Sequence, residues 1–128
     1  MIADAIEQAK RMQRKILEDS YDGICFIYEY AKEKDINSAF TESKEVLVYE
    51  KVPCHLSFQK VSAAQAAGGT EEIEQVIKLF LAPELDIRAG SKIVVIQNKK
   101  TTVYQRSGVA AVYSSHQEVT LELWKRRA

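Results

Sequence analysis

A small, mainly β barrel preceded by one α-helix is the fold class this sequence predicts. Three observations lead there. Six to seven segments alternate apolar and polar residues with a period of two, turn signals separate them every ten residues or so, and one stretch with a 3.6-residue period stands at the start. Strand–helix–strand alternation is missing, so the strands are expected to be mostly antiparallel, with a two-sheet sandwich as the alternative to a closed barrel. At 128 residues the expectation is a single domain, 1–128, with the helix over 1–19 and the barrel over 20–128. No fixed-period repeat is visible, which excludes solenoids and propellers.

Ile2, Ala5, Ile6, Ala9, Met12, Ile16 and Leu17 recur at spacings of three and four and form one stripe on a helix. Asp4 and Glu7 precede Lys10, Arg11, Arg14 and Lys15, an order that suits the helix dipole. Such a stripe either packs on its own domain or docks partly on a neighbouring subunit. From Tyr21 to Tyr30 the period becomes two: Ile24, Phe26, Tyr28 and Tyr30 face one way, Cys25, Ile27 and Glu29 the other. Residues 31–44 are polar and patternless and read as a loop. Glu45–Val52 is a strand with Val46, Val48 and Val52 on one face and Leu47 and Tyr49 on the other. Pro53 marks a bend or an edge position, and strand character continues through Cys54, Leu56 and Phe58.

Residues 60–72 differ from the rest. Six of these thirteen residues are Ala or Gly, and Gly68-Gly69 would interrupt a helix at about 1 kcal/mol per glycine. A long mobile loop is expected, and unstructured loops of that length in compact domains are usually functional or disordered. Val76–Leu81 follows as a central strand ended by Pro83, and Gly90 supplies the turn in PELDIRAGSK. Ile93–Gln97 is another central strand. Asn98, Lys99 and Lys100 form a hairpin connection into Thr101–Arg106. Ser107-Gly108 turns the chain again, a short apolar piece runs to Tyr113, and Glu118–Trp124 is the last strand, with Val119, Leu121 and Leu123 inward.

An apolar share of 46% with 28% charged residues fits a soluble globular domain able to bury a core without metal or disulfide staples. Eighteen basic and eighteen acidic side chains sum to zero, which argues against a protein whose main work is holding phosphate backbones. The first residues, MIADAIEQAKRMQRK, lack the apolar run of a secretory signal, and no window approaches the ~20 apolar residues of a membrane span. The expectation is an intracellular chain, off the membrane, with Cys25 and Cys54 reduced and buried as small hydrophobes.

Motifs for chemistry are sparse. Two histidines, His55 and His116, stand apart, and no cluster has metal-ligand spacing. Ser114, Ser115 and His116 are adjacent, but neighbours on a strand face opposite ways, so a nucleophile–base contact is not expected. GxSxG, HExxH and phosphate-loop patterns are missing, and Gly68-Gly69 is followed by Thr70 and two glutamates. Neither an enzyme nor a cofactor or metal binder is expected. Charge distribution says more than its sum. Residues 18–50 carry nine acids against three bases, whereas 87–117 carry Arg88, Lys92, Lys99, Lys100 and Arg106 and no acid. These are either ordinary solvated faces or a head-to-tail subunit contact of acidic patch on basic patch. A third reading makes the basic half the groove of an OB-like barrel that binds single-stranded nucleic acid, with Tyr104, Tyr113 or Trp124 stacking bases.

VIKLFLAPELDIRAGSKIVV (Val76–Val95) and YQRSGVAAVYSSHQEVTLEL (Tyr104–Leu123) resemble small head-completion proteins of long-tailed bacteriophages, in particular the head-closure, or stopper, connectors of prophage type from Gram-positive hosts. The likeness is close over about half the chain; the N-terminal helix and first strands agree in order and length more than in letters. It implies a small β-barrel subunit that closes the DNA-filled head below the portal and adaptor and offers the tail a docking surface. The place implied is the virion neck, reached from the host cytoplasm during assembly. The partners implied are the portal or adaptor ring, tail proteins, further copies in a ring, and genome DNA held in the channel without sequence reading. A subunit whose ring contacts need a portal template is monomeric in isolation. The family's channel loop falls on Ala63, Ala64, Gln65, Gly68 and Gly69; the helix face and residues 31–44 are candidates for contacts with neighbours. Glu71, Glu72 and Glu74 are the only acids near that loop, a departure from a strongly acidic channel lining.

Overall fold

The computed structural model describes residues 1–34, 41–62 and 73–125. Its elements are α1 (Ile2–Asp19), β1 (Gly23–Lys34), β2 (Thr41–Ser62), β3 (Ile73–Leu81), β4 (Lys92–Gln97), β5 (Lys100–Val112) and β6 (Gln117–Leu123). The six strands close into an antiparallel barrel in the order β1-β2-β3-β6-β5-β4. The predicted class holds, with six strands and the closed form rather than the sandwich.

Alternation explains the core. Cys25 and Ile27 of β1, Val52, Cys54 and Leu56 of β2, Leu79 and Leu81 of β3, Ile93 and Val95 of β4, Tyr104 of β5, and Val119 and Leu121 of β6 all turn inward and are buried. Cys25 and Cys54 are both fully buried free thiols, as expected. Contact with Cys54, together with burial, pushes the Cys25 thiol well above the usual thiol range. Leu123, expected inward, is exposed, and the buried first residue of β6 is Gln117.

β2 does not keep one parity. Cys25 pairs with Val52 but Ile27 pairs with Tyr49 and Tyr28 with Leu47, so β2 inserts an extra residue twice. Lys51 sits at a φ of 51° in the first of these bulges. The shift turns Tyr49 toward the core beside Ile27 and leaves Val46, Leu47 and Val48 exposed, correcting the face assigned to the valines. Pro53 pairs with Ile24 just before β3 joins β2 at His55, a stretch where β2 has one neighbour.

Two double-stranded ribbons extend beyond the barrel. β1 pairs with β4 only through Tyr28, yet continues with β2 from Glu29↔Val46 to Lys34↔Thr41. Residues 31–34 and 41–44, expected as loop, are therefore strand. β2 and β3 likewise pair out to Ser62↔Ile73, four residue pairs past the last β3–β6 pair at Ile77↔Leu121. Lys60–Ser62 belongs to that ribbon rather than to the loop predicted over 60–72; the remainder, 63–72, lies outside the described residues.

Asn98 and Lys99, with φ of 54° and 64°, make the tight β4–β5 hairpin that the sequence indicated. Ser107-Gly108, read as a turn, is instead a wide bulge within β5: Ser107 faces Thr120, the next pair is Ala111↔Glu118, and Gly108 takes a φ of 66°. β3 and β4 stand on opposite sides of the barrel, so residues 82–91 cross one end of it and bury Ile87 there.

Candidate functional site

α1 lies against no part of the core: none of its residues is buried. The expectation that it packs on its own domain is not met. Ile2, Met12 and Ile16 are 82%, 66% and 69% exposed, and Ile6 is half exposed. Its root is polar. The Arg14 guanidinium makes a two-pronged contact with the Glu84 carboxylate of the crossing segment, Nη2 to Oε2 at 2.8 Å, while Nε donates to Glu18 at 2.7 Å. Arg14 holds the Glu84 carboxyl below the usual carboxylate range, and the two carboxylates raise the Arg14 guanidinium in turn. Arg14, Glu18, Tyr21, Pro53 and Ala82 frame a cleft of about 390 Å³ at this root. Burial pushes the Tyr21 hydroxyl up, and it has no hydrogen-bond partner among the described residues.

The crossing segment is fixed from below. Gln117 Nε2 donates to the Ala82 and Leu85 carbonyls, both at 2.7 Å. The Asp86 amide donates to the Tyr49 hydroxyl at 3.3 Å. Arg106 donates to the Ile87 carbonyl and, at 3.0 Å, to that of Gly108. A shallow groove of about 290 Å³ runs along this segment, between Pro83, Leu85 and Ile87 on one side and Val109, Ala110 and Val112 on the other.

At the opposite end of β4, Gln97 reaches across β1 to β2. It accepts from the Leu56 amide at 2.8 Å and donates to the Leu56 carbonyl at 3.3 Å. Gly23 makes room for that reach, since a Cβ there would stand 3.0 Å from Gln97 Oε1 and 3.2 Å from the Cys54 carbonyl.

The basic residues singled out by sequence are dispersed. Lys99 and Lys100 are exposed at the β4–β5 hairpin, while Arg88 and Lys92 stand at the far end of β4. Lys92 Nζ is 2.7 Å from Glu45 and lies 4.7 Å over the Trp124 ring and 5.5 Å from the Tyr28 ring. Arg88 Nε is 3.8 Å from Glu29. Arg106 is occupied under the crossing segment. The acidic and basic segments are therefore partly paired within one chain, because β4 lies beside β1 and the Glu29–Glu45 ribbon. Ala63, Ala64, Gln65, Gly68 and Gly69 lie outside the described residues, as do 35–40 of the candidate contact loop.

Ser115 and His116 do meet, contrary to expectation. Ser115 Oγ is 2.9 Å from His116 Nδ1, and His116 Nε2 is 3.0 Å from Glu118 Oε2. They sit in the tight turn joining β5 to β6, closed by the Tyr113 amide donating to the His116 carbonyl at 2.8 Å, where neighbours need not alternate. The His116 ring is stacked between Phe80 and Tyr113, with centroids 5.5 and 4.9 Å away, and His55 lies 6.2 Å beyond Phe80. His55 in turn holds Asp22 at 2.8 Å and lowers its carboxyl. Among the described residues no group of three or more His, Cys, Asp or Glu is placed to hold a metal ion, and no helix is long and apolar enough to cross a membrane.

No family model and no curated protein matches the chain. A similar solved structure is the phage-like element PBSX protein xkdH from Bacillus subtilis, 17% identical, with a TM-score of 0.49, covering 78% of this chain and 91% of that one.

Proposed function

We propose that this chain is a non-enzymatic structural subunit of the connector between a phage or prophage head and its tail, of the head-closure kind. The observation that carries the reading is architectural. The core is completed by a filled, closed barrel, and the remaining length (α1 and two ribbons) is placed outside it. That division suits a protein that works by contact with neighbours. The sequence resemblance adds the class: its two stretches supply β3, the crossing segment, β4, most of β5, and β6.

In this reading copies assemble as a ring on the portal or adaptor, and the ring closes the filled head and offers the tail its docking surface. The segment carrying Ala63, Ala64, Gln65, Gly68 and Gly69 connects β2 to β3 and is the part that narrows the channel of the ring, with genome DNA contacted irrespective of sequence. Of the basic set, Lys99 and Lys100, exposed at the β4–β5 hairpin, are the side chains offered to acidic neighbours. The subunit then resides in the virion neck.

Incubating the protein with DNA-filled, portal-bearing heads tests the reading. Binding and retention of DNA are expected, and heads that leak unchanged with no protein bound overturn it. Electron microscopy of the assembled neck separates the head-closure layer from the adaptor above and the tail-terminator ring below. The nucleic-acid-binding alternative loses one stacking candidate to the core, since Tyr104 is 3% exposed, and a second, Trp124, is already covered by Lys92. Absence of binding to single strands at low salt disposes of it.

A further inference from the structure

The turn joining β5 to β6 carries chemistry that a connector does not need. Ser115, His116 and Glu118 form a hydrogen-bonded chain with the imidazole in the middle: Ser115 Oγ is 2.9 Å from Nδ1, and Glu118 Oε2 is 3.0 Å from Nε2. An ionised carboxylate can only accept, so the single proton of the neutral ring sits on Nε2. Nδ1 then keeps its lone pair for the Ser115 hydroxyl. That is the arrangement of a nucleophile, its general base and an orienting acid.

The surroundings hold this chain of bonds in place. The ring lies between Phe80 and Tyr113, and Lys78 Nζ, 3.6 Å from Glu118 Oε1, steadies the carboxylate from β3. The His116 and Glu118 side chains are 17% and 21% exposed, so little water competes for their hydrogen bonds. The neighbouring titratable pair, His55 with Asp22, stands beyond Phe80. Among the described residues the amides of Ser114, Ser115 and His116 have no backbone acceptor, so N–H donors stand beside the hydroxyl for a developing oxyanion.

We infer that Ser115 is a nucleophilic modification site that takes the acyl group of an activated ester. Oγ attacks the ester carbonyl carbon. The Oγ–C bond forms, and the bond from that carbon to the leaving oxygen breaks, the oxygen departing with the electron pair. The hydroxyl proton passes to His116 Nδ1 and from there to the leaving oxygen or to water, while Glu118 balances the imidazolium. The product is an ester on Ser115, a chemistry independent of the connector reading.

Ser114 supplies a control within the same turn. It is exposed whereas Ser115 is half-buried, so indiscriminate acylation favours Ser114. The full chain is treated with p-nitrophenyl acetate, and the acetyl groups on the two serines are counted by fragment-ion mass spectrometry. General-base help contributes about 10²–10⁴-fold, so Ser115 should exceed Ser114 by at least about tenfold. The ratio should fall on acidification, since the protonated ring has no lone pair for the Ser115 proton. His116→Gln should abolish the preference and Glu118→Gln should lower it, with amide exchange in the strands verifying the fold; the ratio and its pH profile in the unaltered chain decide the matter should either variant unfold. Equal acylation of the two serines, a preference that survives His116→Gln, or a ratio indifferent to pH overturns the inference. None of these outcomes alters whether the protein binds portal-bearing heads.

Discussion

Replacing Gln117 by methionine keeps the length and approximate volume of a side chain that is 2% exposed while deleting its amide. Two donated bonds of 2.7 Å disappear, and the Ala82 and Leu85 carbonyls are left facing an apolar group. A buried hydrogen bond contributes about 1 kcal/mol net, and orphaning an acceptor costs about 1–3 kcal/mol. Both residues are only partly covered, so water can reach some of what is lost and the lower half of that range applies. The expected destabilisation is about 2–4 kcal/mol, to be read from urea midpoints at unchanged slope. For a domain of this size that corresponds to a fall in Tm of about 6–20 °C. Hydrogen exchange should show the loss first in the amides of 84–91, since the tie holds the crossing segment rather than the sheet. A change below about 0.5 kcal/mol, within the range of an ordinary surface substitution, would refute the assignment of Gln117 as the anchor of that segment.

Two further expectations follow from the same geometry. Gly23→Ala should displace Gln97 from Leu56 and cost about 1–2 kcal/mol, and in a double-mutant cycle with Gln97→Ala the two losses should be clearly less than additive; full additivity would separate the two sites. The Glu84 carboxyl is depressed by Arg14, so its contribution to holding α1 is present above the ordinary carboxylate pKa and is lost as pH falls through the depressed folded value. The pair is largely solvent-exposed and therefore salt-sensitive. Protection factors of the amides in 2–19, taken relative to the intrinsic exchange rate at each pH, should fall on acidification and at high salt, and Glu84→Gln should weaken both dependences.

Barrel and helix were legible because their side chains obey a two-sided environment. Cys25 and Ile27, or Val119 and Leu121, alternate with polar neighbours since one face of the strand is buried and the other is not. That signal fades along the ribbons: beyond Tyr28 and before Ile77 the paired strands no longer line the barrel, so residues 31–34 and 41–44 read as loop although they pair. In the sequence Gly108 reads as a turn because a bulge and a turn call for the same positive φ. The two extra residues in β2 displaced the faces of Val46 and Val48, and bulges leave little trace in a hydrophobic pattern. Nothing in the sequence sets Gln117 apart from a surface glutamine. The acidic and basic stretches were plain in the sequence, but their partial cancellation through Lys92–Glu45 and Arg88–Glu29 depends on β4 pairing with β1, a contact between distant parts of the chain.

Closure of the barrel has a consequence for how other chains can attach by their backbones. Within the cylinder β1 from Gly23 to Tyr28 and β4 along its length are paired on both sides, so an incoming strand finds no free row of amides and carbonyls there. Along the ribbons the situation reverses: from Glu29 to Lys34 and from Thr41 to Val46, and again from Ser57 to Ser62 and Ile73 to Val76, each strand has only its hairpin partner among the described residues. The two outlying ladders are thus places where a neighbour's main chain can add a strand, whereas β1 and β4 within the wall can be met only side chain to side chain.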